Sequence, residues 1–338
     1  MMYHAKISGV GSYVPEKILT NHDLEEMLET SDEWIQQRTG IQQRHWANPE
    51  QANSDLALIA SQNALKNAGL KSEQIDMIIF ATLSPDHDFP GSACFLQAKL
   101  GLSGIPALDI RQQCSGFLYG ISIAHQFIRS GQNQNILVVG SEIHSKGLDR
   151  TPNGRAVSVL FGDGAGAAII SRTEVSNPSK DGHLISTALH ADGQYAKELW
   201  VPAPGNGVHG NDRISEDMIA EGLHYPVMNG KTVFVHATKR MAETLSQTCE
   251  QAGVKLQDVD LFLFHQANLR INDKVGEMLG LDSKKVFNTI QRFGNTTAAT
   301  IPLGMDCALK EGALKPGMLV ASAAFGSGFT WASALFRF

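Results

Sequence analysis

A cysteine placed between a short apolar run and a helix-forming stretch is the first point in this sequence where residue types and spacing suggest chemistry. In DIRQQCSGFLYG (109–120), Cys114 follows GIPALDI, an apolar run suited to a buried strand. It precedes Phe117, Leu118, Ile121, Ala124, Phe127 and Ile128, which recur at helical spacing until Gly131 offers a C-cap. The spacing predicts Cys114 in the first turn of an apolar helix. There the unpaired backbone N–H groups and the positive end of the helix dipole are expected to favour thiolate, the form that attacks a carbonyl carbon. The bland alternative is a small buried hydrophobe, since free cysteine is among the most buried residue types.

Two further polar residues are located by an internal repeat. ALKNAGLKSEQIDMIIFAT (64–82) recurs as TCEQAGVKLQDVDLFLFHQ (248–266) at a constant offset of 184. FGDGAG (161–166) is echoed by FGSGFT (325–330), each beside an apolar strand-like run. Offsets of this size are too long for a solenoid and imply two similar α/β halves, 1–172 with the nucleophile and 173–338 with a cap or loop insertion. Carried onward, the offset sets the Cys114 region opposite residue 298, beside GNTTAATIPLG, which holds Asn295. It also marks His265, which stands where the first copy has Ala81. Singly, His265 reads as a satisfied core histidine and Asn295 as a turn residue. As a set, the three residues fall at strand ends and helix starts, where α/β sheets bind ligands.

Other elements frame these three. TSDEWIQQRTGI (30–41) reads as a short helix capped by Ser31, with Trp34 and Arg38 on one face, a pairing that can stack and hold a nucleotide. Blandly, it is a solvated amphipathic turn. Residues 171–231, containing APGNGVHGNDRISEDM, read as a long loop or cap. The glycines of GDGAG precede a β-like run instead of a helix, so they fail as a dinucleotide fingerprint and suit close backbone packing.

Composition excludes several classes. The 338 residues carry 28 basic and 34 acidic side chains, a net charge of −6, which gives no global case for nucleic acid or an anionic membrane. The opening MMYHAKISGVGSYVP lacks a leader pattern, and no apolar run approaches a membrane span, so a cytoplasmic location is expected. Four cysteines without CxxC pairing are expected as reduced thiols. The histidines show no metal-hydrolase pair, and no metal site is expected.

Taken together, TSDEW with RTGI, CSGF, FGDGAGA, HQANLRI, GNTTAA, and the closing FGSGFTW with SALFRF resemble the β-ketoacyl-acyl-carrier-protein synthase III family of condensing enzymes. The resemblance covers nearly the whole chain. It implies an α/β, thiolase-like five-layered αβαβα fold made of two duplicated halves, a homodimer, and Cys114, His265 and Asn295 as the catalytic triad. It also implies Trp34, Arg38, Arg155, Phe234, Ala267 and Asn268 around coenzyme A, and Phe89 lent across the dimer to the partner's acyl pocket. Arg270 and Lys274 are implied for carrier-protein docking.

The implied reaction is decarboxylative Claisen condensation of an acyl-CoA primer with malonyl-ACP or malonyl-CoA, initiating fatty acid biosynthesis. A thiolate takes the acyl group. Backbone N–H groups of Cys114 and Ser327 hold the oxyanion, and neutral His265 with the Asn295 amide stabilises the enolate. No cofactor is expected beyond the coenzyme A thioesters consumed as substrates. Arg111, Gln112 and Gln113 depart from the small residues usual before the nucleophile, and Ser327 stands where glycine is usual. That segment also resembles the alkylquinolone condensing enzymes, so the same chemistry on an aroyl-CoA primer is the alternative. From another class, the order Cys, His, Asn with separations of 151 and 30 suggests a thiol hydrolase of the papain type.

Overall fold

The computed structural model describes residues 3–338. Met1 and Met2, the first residues of the stretch read above for a leader, lie outside them. The chain opens with β1 (His4–Tyr13), β2 (Lys17–Thr20), α1 (Asn21–Glu25), α2 (Asp32–Thr39), β3 (Gln43–Trp46), α3 (Asn53–Ala68) and β4 (Met77–Ala81). It continues with α4 (Ser92–Lys99), β5 (Ala107–Ile110), α5 (Gly116–Arg129), β6 (Asn135–Glu142), α6 (Arg155–Ser158) and β7 (Gly164–Thr173). Next come β8 (His183–Ala191), β9 (Leu199–Trp200), α7 (Glu216–Ala220), β10 (Val227–Met228), α8 (Gly230–Gln251) and β11 (Leu261–Phe264). The chain closes with α9 (Leu269–Leu279), α10 (Ile290–Phe293), α11 (Thr300–Lys310), β12 (Leu319–Gly326) and β13 (Thr330–Arg337).

Two sheets organise the molecule. The first has the order β1-β7-β6-β4-β5, with β5, β4 and β6 parallel and β7 and β1 antiparallel. The second repeats the scheme as β11-β12-β13-β8, with β11 parallel to β12 and the next two strands antiparallel. A single parallel bridge, Phe262 to Val286, stands beside β11 as β5 stands beside β4. The repeat seen in the sequence is this shared topology: β4 and β11, β6 and β12, and α5 and α11 begin 184 positions apart. Gly164 and Thr330 open β7 and β13 only 166 apart, because 143–163 links β6 to β7 where 327–329 suffices between β12 and β13.

Strand side chains alternate faces, and both faces of each sheet are buried. Met77 and Ile79 of β4 point into the same core as Leu261 and Leu263 of β11, and between them lie Phe117 and Ile121 of α5 with Ile301 and Met305 of α11. Ile78 and Phe80 turn outward onto α3 and α4. Phe262 and Phe264 turn outward onto α8 and α9. The result is five layers, αβαβα, with α5 and α11 as the inner one, as the resemblance implied.

Two expectations are corrected. GIPALDI forms an edge strand: Leu108 is 37% exposed because, among the described residues, no strand lies beyond β5. The stretch 171–231 is not a loop throughout, since His183–Ala191 forms β8 against β13. Residues 174–182 and 192–229 are irregular, the second broken by short pieces that include the pair β9 and β10. β8 runs from buried His183 and Leu184 to exposed Leu189 and Ala191 without clean alternation, and the Gly, Asn and Pro content around it hides it in the sequence.

Helix α3 lies very close to β1, and two glycines make that possible. A Cβ on Gly11 would sit 2.3 Å from the Ala64 nitrogen and 2.6 Å from the Ala60 oxygen, both α3 backbone. Gly11→Ala is therefore expected to destabilise the protein by about 1–3 kcal/mol. Equal urea midpoints for variant and wild type would show that α3 is free to lift off β1.

Candidate active site

Cys114 sits in a single 3₁₀ turn, Gln113–Ser115, between β5 and α5. Gln113 takes φ 45° there, and Thr297, the residue 184 positions later, takes φ 50° in the matching turn before α11. The two halves thus make the same elbow, one presenting Cys114 and the other Ala298. Left-handed backbone costs a non-glycine residue of order 1–3 kcal/mol and is kept only where surrounding packing enforces it. That packing comes from the end of β12. A Cβ on Gly326 would lie 2.7 Å from the Cys114 Cβ and 3.1 Å from Sγ. With glycine there, the N–H of Ser327 reaches the Cys114 sulfur, as does the N–H of Cys114 itself.

The sequence led us to expect a thiolate, and the structure reverses that. Burial pushes the Cys114 thiol up to about 12, and the nearby Glu142 carboxyl adds to the rise, while the two N–H groups pull the other way. A helix dipole offers at most about 2 kcal/mol, or about 1.5 pH units. Enclosure between two sheets outweighs it, so the resting form at neutral pH is the thiol. Sequence reasoning overlooked Glu142. It ends β6, is fully buried, and accepts hydrogen bonds from Thr82 Oγ1 (3.0 Å) and the Ser84 backbone N–H (3.1 Å). Burial raises its own carboxyl to about 7.

His265 follows β11 and is anchored by its backbone N–H to the Ala323 oxygen at 2.9 Å. Nδ1 lies 2.7 Å from Thr300 Oγ1, while Nε2 is buried without a partner. Burial lowers the imidazole to about 3, so it is neutral in use. Asn295 follows α10, and its backbone is pinned to the loop before β7 by hydrogen bonds with Leu160 and Gly162. Its Oδ1 accepts the Thr297 N–H at 2.8 Å, which turns the Nδ2 donor end away from that contact. Asn295 therefore does not orient His265, and the relay expected of a papain-type hydrolase is absent.

Cys114, His265 and Asn295 line one cavity of about 490 Å³, a size ordinary for a small-molecule site. Its wall also carries Trp34, Arg38, Phe234, Ala267, Asn268 and Arg270. Apolar residues that sequence reasoning missed, among them Phe161, Leu199, Met228 and Phe325, complete it. Trp34 is stacked by the Arg155 guanidinium at 4.0 Å and approached by Arg38 at 4.9 Å. Asn268 caps α9 through the Arg270 N–H and ties it to α2 by donating to the Arg38 oxygen at 3.0 Å.

Arg155 and Ser327 do not line the cavity and reach the site through Trp34 and the Cys114 sulfur. Phe89 and Lys274 fall outside this group altogether. Phe89 is 83% exposed and lines no part of the cavity. Lys274 also lies outside, its ammonium held by Glu277 at 2.9 Å. Among the described residues, no cluster of three or more His, Cys, Asp or Glu side chains is placed to hold a metal ion.

This geometry, a cysteine elbow at the seam of a duplicated αβαβα fold with neutral His and Asn donors beside it, defines a condensing enzyme of the thiolase-like class. The family models for 3-oxoacyl-[acyl-carrier-protein] synthase III and for its C-terminal part match residues 108–193 and 249–338. The β-ketoacyl-[acyl-carrier-protein] synthase III of Caldanaerobacter subterraneus subsp. tengcongensis is 44% identical over 98% of this chain and 97% of its own. Among solved structures, the 3-oxoacyl-[acyl-carrier-protein] synthase III of Aquifex aeolicus superposes with a TM-score of 0.89 at 40% identity, covering 99% of this chain and 100% of its own. The priming β-ketosynthase of the R1128 polyketide pathway reaches 0.88 at 29% identity, covering 99% and 97%. The chain belongs to the β-ketoacyl-acyl-carrier-protein synthase III family, and is an acyltransferase of the condensing type.

The buried thiol has a direct consequence. In a Cys94→Ser background, which removes the exposed thiol, iodoacetamide alkylation of Cys114 should accelerate about tenfold per pH unit from pH 7 to 10. A plateau near pH 7 would show that the thiolate is already formed at rest.

Proposed function

We propose that this protein joins an acyl-CoA primer to malonyl-ACP by decarboxylative Claisen condensation through an acyl-Cys114 thioester, the reaction that initiates fatty acid biosynthesis. The observation that carries the reading is the convergence of the Cys114 sulfur, the unpartnered His265 Nε2 and Asn295 on one largely apolar cavity. In the first half-reaction the Cys114 sulfur attacks the thioester carbon. The oxyanion is held by the N–H groups of Cys114 and Ser327, each donor worth about 3–4 kcal/mol in comparable sites. The carbon–sulfur bond to coenzyme A breaks and the proton lost by Cys114 ends on the coenzyme A sulfur, one thiol exchanged for another.

In the second half-reaction the malonyl carboxylate leaves as carbon dioxide, and the electron pair of the broken bond forms an enolate. Its oxygen takes hydrogen bonds from His265 Nε2–H and Asn295 Nδ2–H, two neutral donors suited to a dry pocket where a charged one would be costly. The enolate carbon attacks the acyl carbon, the carbon–sulfur bond to Cys114 breaks, and the departing thiolate takes up a proton from solvent to return as the thiol. Side chains and backbone N–H groups carry every step, with no metal or flavin.

The Trp34–Arg155 stack is the adenine slot in this reading, with Arg38 beside it and Phe234, Ala267 and Asn268 along the pantetheine arm. The exposed Phe89 and the open edge of β5, with Leu108 uncovered, support a homodimer in which Phe89 enters the partner's acyl pocket. The absence of any helix long and apolar enough to cross a membrane, among the described residues, is compatible with a cytoplasmic enzyme. Full-length relatives that bear the synthase III name favour the fatty-acid role over an aroyl-CoA primer in secondary metabolism.

Intact-mass spectrometry after incubation with acetyl-, octanoyl- and anthraniloyl-CoA should show one acyl group on the wild type and none on Cys114→Ala; an adduct on the variant contradicts the assignment. His265→Ala should keep the adduct while condensation falls by roughly 10² or more. Equal loss of both half-reactions would instead make His265 the activator of Cys114. For the carrier protein, Arg270 at the cavity wall is the relevant cation, because Lys274 is engaged by Glu277 and Arg240 lies 3.5 Å from Asp192. Arg270→Glu should lower kcat/KM for malonyl-ACP by about tenfold or more, with acylation by acyl-CoA changed much less. Unchanged malonyl-ACP kinetics, or wild-type preference for malonyl-CoA, would remove the docking role.

A further inference from the structure

The proposed chemistry requires a hydrogen on His265 Nε2, and a neutral imidazole carries only one N–H. Which ring nitrogen bears it is decided by what the other nitrogen meets. His265 Nδ1 meets one group, the hydroxyl of Thr300, at 2.7 Å. Thr300 is the first residue of α11, is 2% exposed, and has one hydroxyl proton to give. Its two possible acceptors are His265 Nδ1 and the Thr297 carbonyl oxygen at 3.0 Å. The Thr297 oxygen already accepts the backbone N–H of Thr300, whereas Nδ1 has no other partner. We propose that the Thr300 hydroxyl donates to His265 Nδ1 and thereby holds the imidazole as the Nε2–H tautomer, so that Thr300 is the positioning residue that makes His265 a donor to the enolate.

The surroundings agree with this direction. Asn295, the other donor, is turned by a contact from the same segment: Thr297 N–H holds its Oδ1 at 2.8 Å. One elbow, Thr297–Thr300, thus orients both members of the donor pair. With the opposite hydroxyl orientation, Nδ1 would carry the hydrogen and the Nε2 lone pair would face the cavity, repelling the enolate oxygen that Asn295 is set to bind. A hydroxyl also differs from the carboxylate that backs a histidine base, because it favours no positive charge on the ring. The side chain at 300 therefore selects a donor histidine over a proton-abstracting one. The inference rests on the condensation reading above and adds to it the residue that fixes the tautomer.

The test uses the full-length enzyme labelled with ¹⁵N-histidine, the His265 signals being assigned by their loss in His265→Ala. Wild type should show Nε2 as the protonated nitrogen. Thr300→Val, which keeps the shape and removes the hydroxyl, should lose that preference and slow condensation by about tenfold or more while acylation by acyl-CoA persists; Thr300→Ser should restore both the spectrum and the rate. A wild-type enzyme that condenses with His265 protonated on Nδ1 overturns the role of Thr300 and leaves the reaction assignment standing. Condensation by Thr300→Val at the wild-type rate overturns it as well. A wild type that takes no acyl group overturns instead the reading of the site beneath it. Should Thr300→Val fail to fold, the wild-type spectrum and the Thr300→Ser rate still decide.

Discussion

The contact on which the site depends is the approach of the β12 end to the Cys114 elbow. Gly326 faces Cys114 where a Cβ would be 2.7 Å from the cysteine's own, so no other residue fits without parting the two halves. That closeness has two effects. It brings the Ser327 N–H to the sulfur, and it shuts water away from the thiol. The first supplies a donor where an oxyanion would form; the second raises the pKa of the thiol. A cysteine in such a place rests as the thiol at neutral pH.

The duplicated fold explains how one seam comes to hold both halves of the chemistry. Each half builds an elbow at the start of an inner-layer helix, with a left-handed residue at Gln113 in one and Thr297 in the other. The copies have diverged in what the elbow delivers. The first keeps the sulfur; the second carries Ala298 and spends its polar groups, through Thr297 and Thr300, on Asn295 and His265. Long connections have been added where access is needed: 143–163 brings Arg155 to Trp34, and 192–229 supplies Leu199 and Met228 to the cavity.

Much of this was legible in the sequence because the repeat is a one-dimensional signal. An offset of 184 aligns the strand pairs, sets the Asn295 segment opposite Cys114 and sets His265 opposite Ala81 without any knowledge of the fold. The cap at Ser31 could be read from local residue types. What was hidden depends on contacts between residues far apart in the chain. The pKa of Cys114 is set by β12 and by Glu142, neither of them a sequence neighbour. The tautomer of His265 is set by Thr300, which reads as one more small residue in GNTTAAT until the 2.7 Å contact is seen. β8 is hidden in the sequence because its neighbours are turn-rich, and β5 reads as buried because an apolar strand reads alike at the edge and the centre of a sheet.

The central claim is that the two halves meet to hold an acyl group on Cys114 with its oxygen between two backbone N–H groups. A crystal structure of the enzyme after reaction with octanoyl-CoA tests it most directly. The account predicts a thioester on Cys114 whose carbonyl oxygen lies about 2.7–3.1 Å from the nitrogens of both Cys114 and Ser327, with His265 Nε2 and Asn295 Nδ2 left free for the second substrate. An acyl oxygen bound instead to His265 and Asn295, or an acyl chain carried on another residue, would contradict it.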